Sequence, residues 1–193
     1  MATSTHHRRH RAIGRVRDAL DQLRLEHELI LKMLRDFDHL RHTGDATPKA
    51  KAELVDHLCD LLSLHALLKE QILYPVARHA VAGNDQAQAA FCNLALLQHL
   101  IACVDEMDAS DPLYDEAVGE LGDCLVASMA QEQRVLFAEV RAAGVDTHAL
   151  GEQMTHMRRA QQQNDLTLVE VARSRSAPSI GWPPACRLTL VGR

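Results

Sequence analysis

Aromatic residues are scarce in this chain: one Trp, two Tyr and three Phe, 3% of 193 residues. A core built from it must be mostly Leu, Val and Ala, which suits helices better than sheets. Five cysteines, Cys59, Cys92, Cys103, Cys124 and Cys186, form no C-x-x-C pair. No apolar run is long enough to span a bilayer. The basic residues near the N-terminus are followed by no apolar stretch, so no signal peptide is visible. A cytoplasmic protein with reduced thiols is the default expectation, with no membrane partner. An excess of positive charge is also missing. Lys and Arg number 21 against 26 Asp and Glu, a net charge of -5, which argues against general nucleic-acid binding. There is no Ser-His-Asp set, phosphate loop or nucleotide motif, and enzyme status stays open.

What is present is a supply of apolar residues, 47% of the chain, and twelve histidines. The length suits one domain with a modest extension. Residues 1–10 read as a mobile basic tail. From about Arg11 to His42 the pattern is helical, with Leu20, Leu23, His27, Ile30, Leu34 and Phe37 on a three-four spacing. Gly44 fits a helix stop, and Thr47-Pro48 fits an N-cap followed by Pro at the first helical position. The second helix is expected from Pro48 to Val81, with a seam of Leu54, Leu58, Leu61, His65, Leu68 and Ile72. Pro75 lies inside it and predicts a kink. The third runs from about Asp85 to Met107, with Cys92, Ala95, His99, Cys103 and Glu106 on one side. The fourth runs from about Pro112, capped by Asp111, to Ala143, and stops at Gly144. A more polar fifth helix follows over 144–172, and 173–193 read as a loosely ordered tail. Helices one to four, in residues 11–143, make an all-α, up-down-up-down four-helix bundle.

The second and fourth helices are degenerate copies of one pattern. His65, Lys69, Leu73 and Tyr74 recur 63 residues on as Ser128, Glu132, Leu136 and Phe137. Glu53, Val55, Leu58, Asp60 and Leu62 recur as Glu116, Val118, Leu121, Asp123 and Leu125. A His followed four residues later by Glu puts a nitrogen and a carboxylate on one helix face, as a metal site in a bundle core requires. Neither copy holds both: the first has His65 but Lys69, the second Glu132 but Ser128. One His falls near the same depth in each of helices one, two and three. Burying His27, His65, His99 and Glu132 together costs free energy unless they are paired or coordinate a metal.

The residues around His27 (Leu-Glu-His-Glu-Leu-Ile-Leu), His65 with Leu73-Tyr74-Pro75, the Leu-Gln-His-Leu-Ile around His99, and Glu132 with Leu136-Phe137 resemble the hemerythrin-like, HHE cation-binding family. The resemblance spans roughly residues 18–143 and implies a four-helix bundle around a non-haem di-iron centre. His27, His65, His99 and Glu132 match its ligand positions. Lys69 stands where the bridging Glu of helix two belongs, and Ser128 where the His of helix four belongs. An ammonium has no lone pair with which to bridge. What survives, His27, His65 and Glu132, is a two-His-one-carboxylate set suited to a single Fe(II) or other divalent cation. His99 is then a fourth ligand or a supporting partner. Glu70, five residues after His65, can reach in only if the helix bulges; Cys103, four after His99, is a soft ligand or a small core residue.

Two functions follow from this set. One is an iron protein that senses or handles oxygen, peroxide, nitric oxide or iron itself. The other is a metal-free interaction bundle in which Lys69 and Glu132 pair across the core. The oligomeric state is not legible.

Overall fold

Helix starts in this chain are written in its caps. The computed structural model describes residues 18–43, 47–82 and 85–164. The first helix, α1 (Ala19–His42), opens where the Asp18 carboxylate accepts the Asp21 amide at 2.9 Å. Such a cap satisfies an amide that the helix itself leaves unpaired. The expected basic tail and the helical stretch before Asp18 lie outside the described residues, as do Gly44, the chain beyond residue 164 and the proposed C-terminal tail. The inward stripe of α1 is Leu20, Leu23, His27, Ile30 and Phe37, as the spacing predicts, while Leu34, the sixth residue expected there, is only half-buried. In α2 (Pro48–Leu68) the Thr47 hydroxyl accepts the Ala50 amide at 3.2 Å, and Pro48 takes the first turn.

Helix two does not simply kink at Pro75. The turn before it widens into a π-helical segment, Lys69–Leu73, before α3 (Tyr74–Ala80) continues. The Tyr74 amide reaches back to the Lys69 carbonyl. Proline removes a donor, yet it is not the whole cause. After α4 (Asp85–Asp105), α5 (Tyr114–Gln131) passes into a second π segment, Glu132–Leu136, and then α6 (Phe137–Ala142), with no proline near it. The sequence duplication is thus a structural one. Each π segment opens on the residue of the altered pair, Lys69 or Glu132, and π-bulges of this kind often mark functional positions.

These pieces form four rods, α1, α2–α3, α4 and α5–α6, in up-down-up-down order, with α7 (Thr147–Asn164) added against them. The Asp111 carboxylate accepts the Leu113 amide at 2.8 Å just ahead of α5. Gly144, at φ 70°, closes the fourth rod. Its amide bonds to the Arg141 carbonyl at 3.1 Å and the Val145 amide to the Val140 carbonyl at 3.4 Å, a Schellman ending that favours glycine. No strand occurs among the described residues.

The core is split in two. One apolar cluster joins Leu20 and Leu23 of α1 to Leu68, Leu73, Leu136, Phe137 and, from α7, Leu150 and Met154. The other joins Ile30 and Phe37 to Val55, Leu58, Leu62, Leu121, Leu125 and the inner face of α4. Along every rod that contributes, the polar residues fall where one cluster gives way to the other: His27 in α1, His65 and Lys69 in the second rod, Ser128 and Glu132 in the fourth. All five are buried.

Candidate metal centre

Within this polar layer the His27 and His65 Nε2 atoms face each other at 3.2 Å. Glu132 Oε2 lies 3.4 Å from His27 Nε2. One ligand atom from each of the three residues falls within 4.8 Å of the others. These separations can be tested against a metal. An ion about 2.1 Å from two donors holds them about 3.0 Å apart at a right angle and about 3.4 Å apart at a tetrahedral one. The two measured edges, 3.2 and 3.4 Å, lie in that interval. Two of the three edges thus suit one cation, and the third, between His65 and Glu132, lies within 4.8 Å and closes around an ion with a small side-chain movement.

The carboxylate of Glu132 is divided between two tasks. Its Oε1 receives the Lys69 ammonium at 2.5 Å and the Tyr74 hydroxyl at 2.7 Å. Its Oε2, fully buried, has no hydrogen bond of good geometry, its one polar neighbour being His27 Nε2 at 3.4 Å. A buried carboxylate oxygen without a donor is costly unless something fills that role. Lys69 also sits 5.5 Å over the Tyr74 ring, and the Phe137 ring lies nearly parallel to His27 with centroids 6.0 Å apart.

Both imidazoles are held from behind. His65 Nδ1 meets Glu26 Oε2 at 2.9 Å, and the other oxygen of Glu26 accepts Arg158 Nη2 at 2.6 Å from α7. Arg158 also contacts the Gln22 side chain. A carboxylate can only accept, so His65 carries its proton on Nδ1 and offers a lone pair at Nε2. His27 Nδ1 lies 2.8 Å from the Gln133 amide nitrogen. An amide can donate or accept after a half turn, so this partner permits either tautomer.

The charges follow the geometry. Burial works against an ionised Glu132, but the Lys69 ammonium and the two imidazoles hold its carboxyl well below the usual range. Burial pushes the His65 imidazole down to about 4, against the pull of its Glu26 hydrogen bond. Glu26 is also buried against its charge, yet His65 and Arg158 together leave it below the ordinary value. Burial and the neighbouring Glu132 carboxylate raise Tyr74, which keeps its phenolic proton.

Of the four expected ligands, three converge and one does not. His99 is exposed on α4. Its Nε2 lies 3.7 Å from Cys103 Sγ on the same face. The expectation that His99 faces the site is corrected: the inward stripe of α4 is Leu94, Leu97, Leu100, Ile101 and Val104, and His99 lies beside it. An apolar stripe as broad as that of α4 leaves the inward direction ambiguous in sequence. Glu70 stays exposed although its segment does bulge, because the bulge turns Lys69 inward instead. Ser128 is buried in the layer. Four contributors escaped the sequence reading. Glu26 and Gln133 adjoin His27 and Glu132 in sequence, which was a usable signal. Tyr74 stands out in the sequence only as part of Leu73-Tyr74-Pro75. Arg158, in a polar helix, gave no sign.

The arrangement defines a class, an all-α bundle with a buried two-imidazole, one-carboxylate cluster that can hold a metal ion. Comparison with known proteins agrees. Residues 18–91 match the hemerythrin HHE cation-binding domain, a stretch that contains His27, His65 and Lys69. The fold is similar to the crystal structure of a hemerythrin HHE cation-binding domain-containing protein from Mycobacterium kansasii. That likeness has a TM-score of 0.57 at 16% identity and covers 81% of this chain and 99% of the other. At such identity it speaks to the fold alone. No curated protein matches the chain.

Proposed function

We propose that this protein binds a single divalent cation, iron by the nature of its donors, between His27, His65 and Glu132. The observation that carries this is the divided carboxylate. Lys69 and Tyr74 saturate Oε1, while Oε2 has only a long contact to His27 Nε2, which itself faces His65 Nε2 at ligand spacing. A two-His-one-carboxylate set suits Fe(II) and leaves positions open. Iron held there supplies redox chemistry toward a small ligand such as oxygen, peroxide or nitric oxide. The chain's own residues then do three things. Glu26 presents the His65 lone pair, Lys69 neutralises the far side of Glu132, and the two apolar clusters keep bulk water from the layer.

Metal analysis of protein purified without chelator, repeated after anaerobic Fe(II) loading, tests the proposal. One equivalent per chain is expected. His27→Ala and Glu132→Ala should each abolish it, and His99→Ala should leave it intact. No bound metal under either condition rejects the reading, and two equivalents reject its stoichiometry.

A second reading rests on a separate observation: the layer is already charge-balanced, Lys69 against Glu132 and Arg158 against Glu26. A bundle without metal, acting as an interaction module, accounts for that balance. It predicts that chelation leaves thermal stability unchanged and that His27→Ala barely lowers it.

A further inference from the structure

The fifth helix holds a charged side chain against the back of the polar layer, and its placement is not that of a solvated surface. Leu150 and Met154 anchor α7 in the apolar cluster beside the site. The Gln22 amide donates to the Gly151 carbonyl at 2.8 Å, which fixes the register of α7 on α1. One turn past Met154, Arg158 grips Glu26 Oε1 through two nitrogens, Nε at 3.1 Å and Nη2 at 2.6 Å. Glu26 passes its other oxygen to His65 Nδ1 at 2.9 Å. The Glu26 side chain retains only 12% of its exposure, and that of Arg158 21%.

We propose that Arg158 and Glu26 are positioning residues: an arm from the fifth helix that locks His65 in the one tautomer able to ligate a cation. The proposal rests on the single-cation reading above. The contrast between the two imidazoles carries it. His27 has an amide partner, Gln133, which tolerates either tautomer, whereas His65 has a partner that can only accept. A free carboxylate could swing away or take a proton. The guanidinium fork prevents both by filling its second oxygen in a fixed plane. The fifth helix is therefore part of the site. Orienting partners of this kind typically change metal affinity 10- to 100-fold, an order-of-magnitude range.

Two variants and two readouts test it in the full chain. Glu26→Gln replaces an obligate acceptor with an ambivalent one. Arg158→Met removes the fork and keeps much of the side-chain volume. The first readout is the ring-nitrogen NMR signature of the histidines in chelator-treated protein. Wild type should show His65 wholly protonated at Nδ1, and both variants should show a mixture. The second is Co(II) titration followed by its visible absorption. Affinity should fall about 10-fold or more in each variant, and Gln133→Glu, which makes the His27 partner an obligate acceptor too, should not weaken it.

If wild type binds no Co(II) but the tautomer shift occurs, the single-cation reading fails and the arm stands. Unchanged ring signals together with unchanged Co(II) affinity in both variants overturn the arm while leaving the cation site. If Glu26→Gln fails to fold, Arg158→Met decides alone, since its head group lies at the edge of the bundle. An unchanged tautomer there overturns the proposal.

Discussion

Replacing Lys69 by Met isolates the feature that most distinguishes this core. Glu132 is 1% exposed and Lys69 3%, and their charged atoms are 2.5 Å apart. Removing one partner of a buried ion pair costs about 3–5 kcal/mol, because the other charge is left uncompensated. Glu132 keeps its Tyr74 hydrogen bond at 2.7 Å, so the lower end, about 3 kcal/mol, is expected. For a domain of this size that corresponds to a fall in Tm of roughly 6–12 °C.

The diagnostic measurement is a double-mutant cycle by urea denaturation in the presence of chelator. Glu132→Leu alone leaves a buried ammonium and should cost a similar amount. Lys69→Met with Glu132→Leu replaces the pair by apolar groups of comparable size and should recover most of the loss, giving a coupling of about 2 kcal/mol or more. Additive losses, with coupling below about 0.5 kcal/mol, would show that the two residues do not act on one another and would refute the reasoning. A second arm links the pair to function. In Lys69→Met the carboxylate has lost its internal cation, so added Co(II) should raise the stability of this variant more than that of wild type. An equal response would mean that Lys69 and a cation do not compete for the charge of Glu132.

Other consequences are open to direct test. His65 is held neutral, its value pushed from the ordinary 6.5 to about 4. The unfolded chain therefore takes up a proton that the native state refuses. In chelator, stability should be full above about pH 6.5 and fall by about 3 kcal/mol as the pH drops toward 4; His65→Gln should flatten that slope, and an unchanged slope counts against the assignment. Gly144 ends the fourth rod at φ 70° with open space around it. Gly144→Ala should lose about 1 kcal/mol to backbone strain alone, and a stabilised variant in thermal melts would contradict the Schellman ending. Cys59 is wholly buried and its thiol is pushed up to about 12, by burial above all. Iodoacetamide at pH 8 should modify exposed Cys103 long before Cys59, by mass spectrometry of timed digests. Equal rates would place Cys59 outside the core.

The rods were legible because local rules agreed with one another. Thr47 and Gly144 mark ends by side-chain or backbone chemistry that needs no tertiary partner, whereas the Asp18 cap, well inside the stretch expected to be helical from Arg11, was not legible. The stripe of α1 alternates strongly enough that its buried set, His27 included, follows from spacing alone. In α4 that signal fails, since apolar residues surround the helix and the inward direction is set by neighbours. Hence His99 was misplaced. The π turns were illegible for another reason. Pro75 predicts a disturbance near itself, but nothing local in Glu132–Leu136 does. That segment widens where Glu132 enters the layer opposite Lys69, a long-range cause. Arg158 escaped for the same reason, because its meaning depends on α7 lying across α1.

The paired losses in the two copies have a common electrostatic logic. A carboxylate at position 69 together with a divalent cation bound to it would carry a net charge of +1, and the Lys69 ammonium carries the same. Glu132 thus meets unchanged charge on its Oε1 side, delivered by a side chain at 2.5 Å rather than by an ion. Once that side needs no metal, a histidine at position 128 has nothing to ligate there, and a serine leaves the layer smaller and without another imidazole to desolvate. The other side keeps both imidazoles, the arm behind His65, and a carboxylate oxygen with only a long contact to His27. Had the whole site been retired, the cheapest core would have replaced these as well, since apolar residues of similar volume stabilise at least as well as buried polar ones. Their presence at ligand spacing on one side only is what the proposed single-cation site requires. If the single-cation proposal holds, introducing Lys69→Glu and Ser128→His together should raise the Fe(II) stoichiometry from one to two. Either change alone should not, because a lone carboxylate adds an unpaired negative charge and a lone imidazole has no bridging partner. If both single variants bind two ions, Lys69 is not standing in for a cation and the charge argument fails.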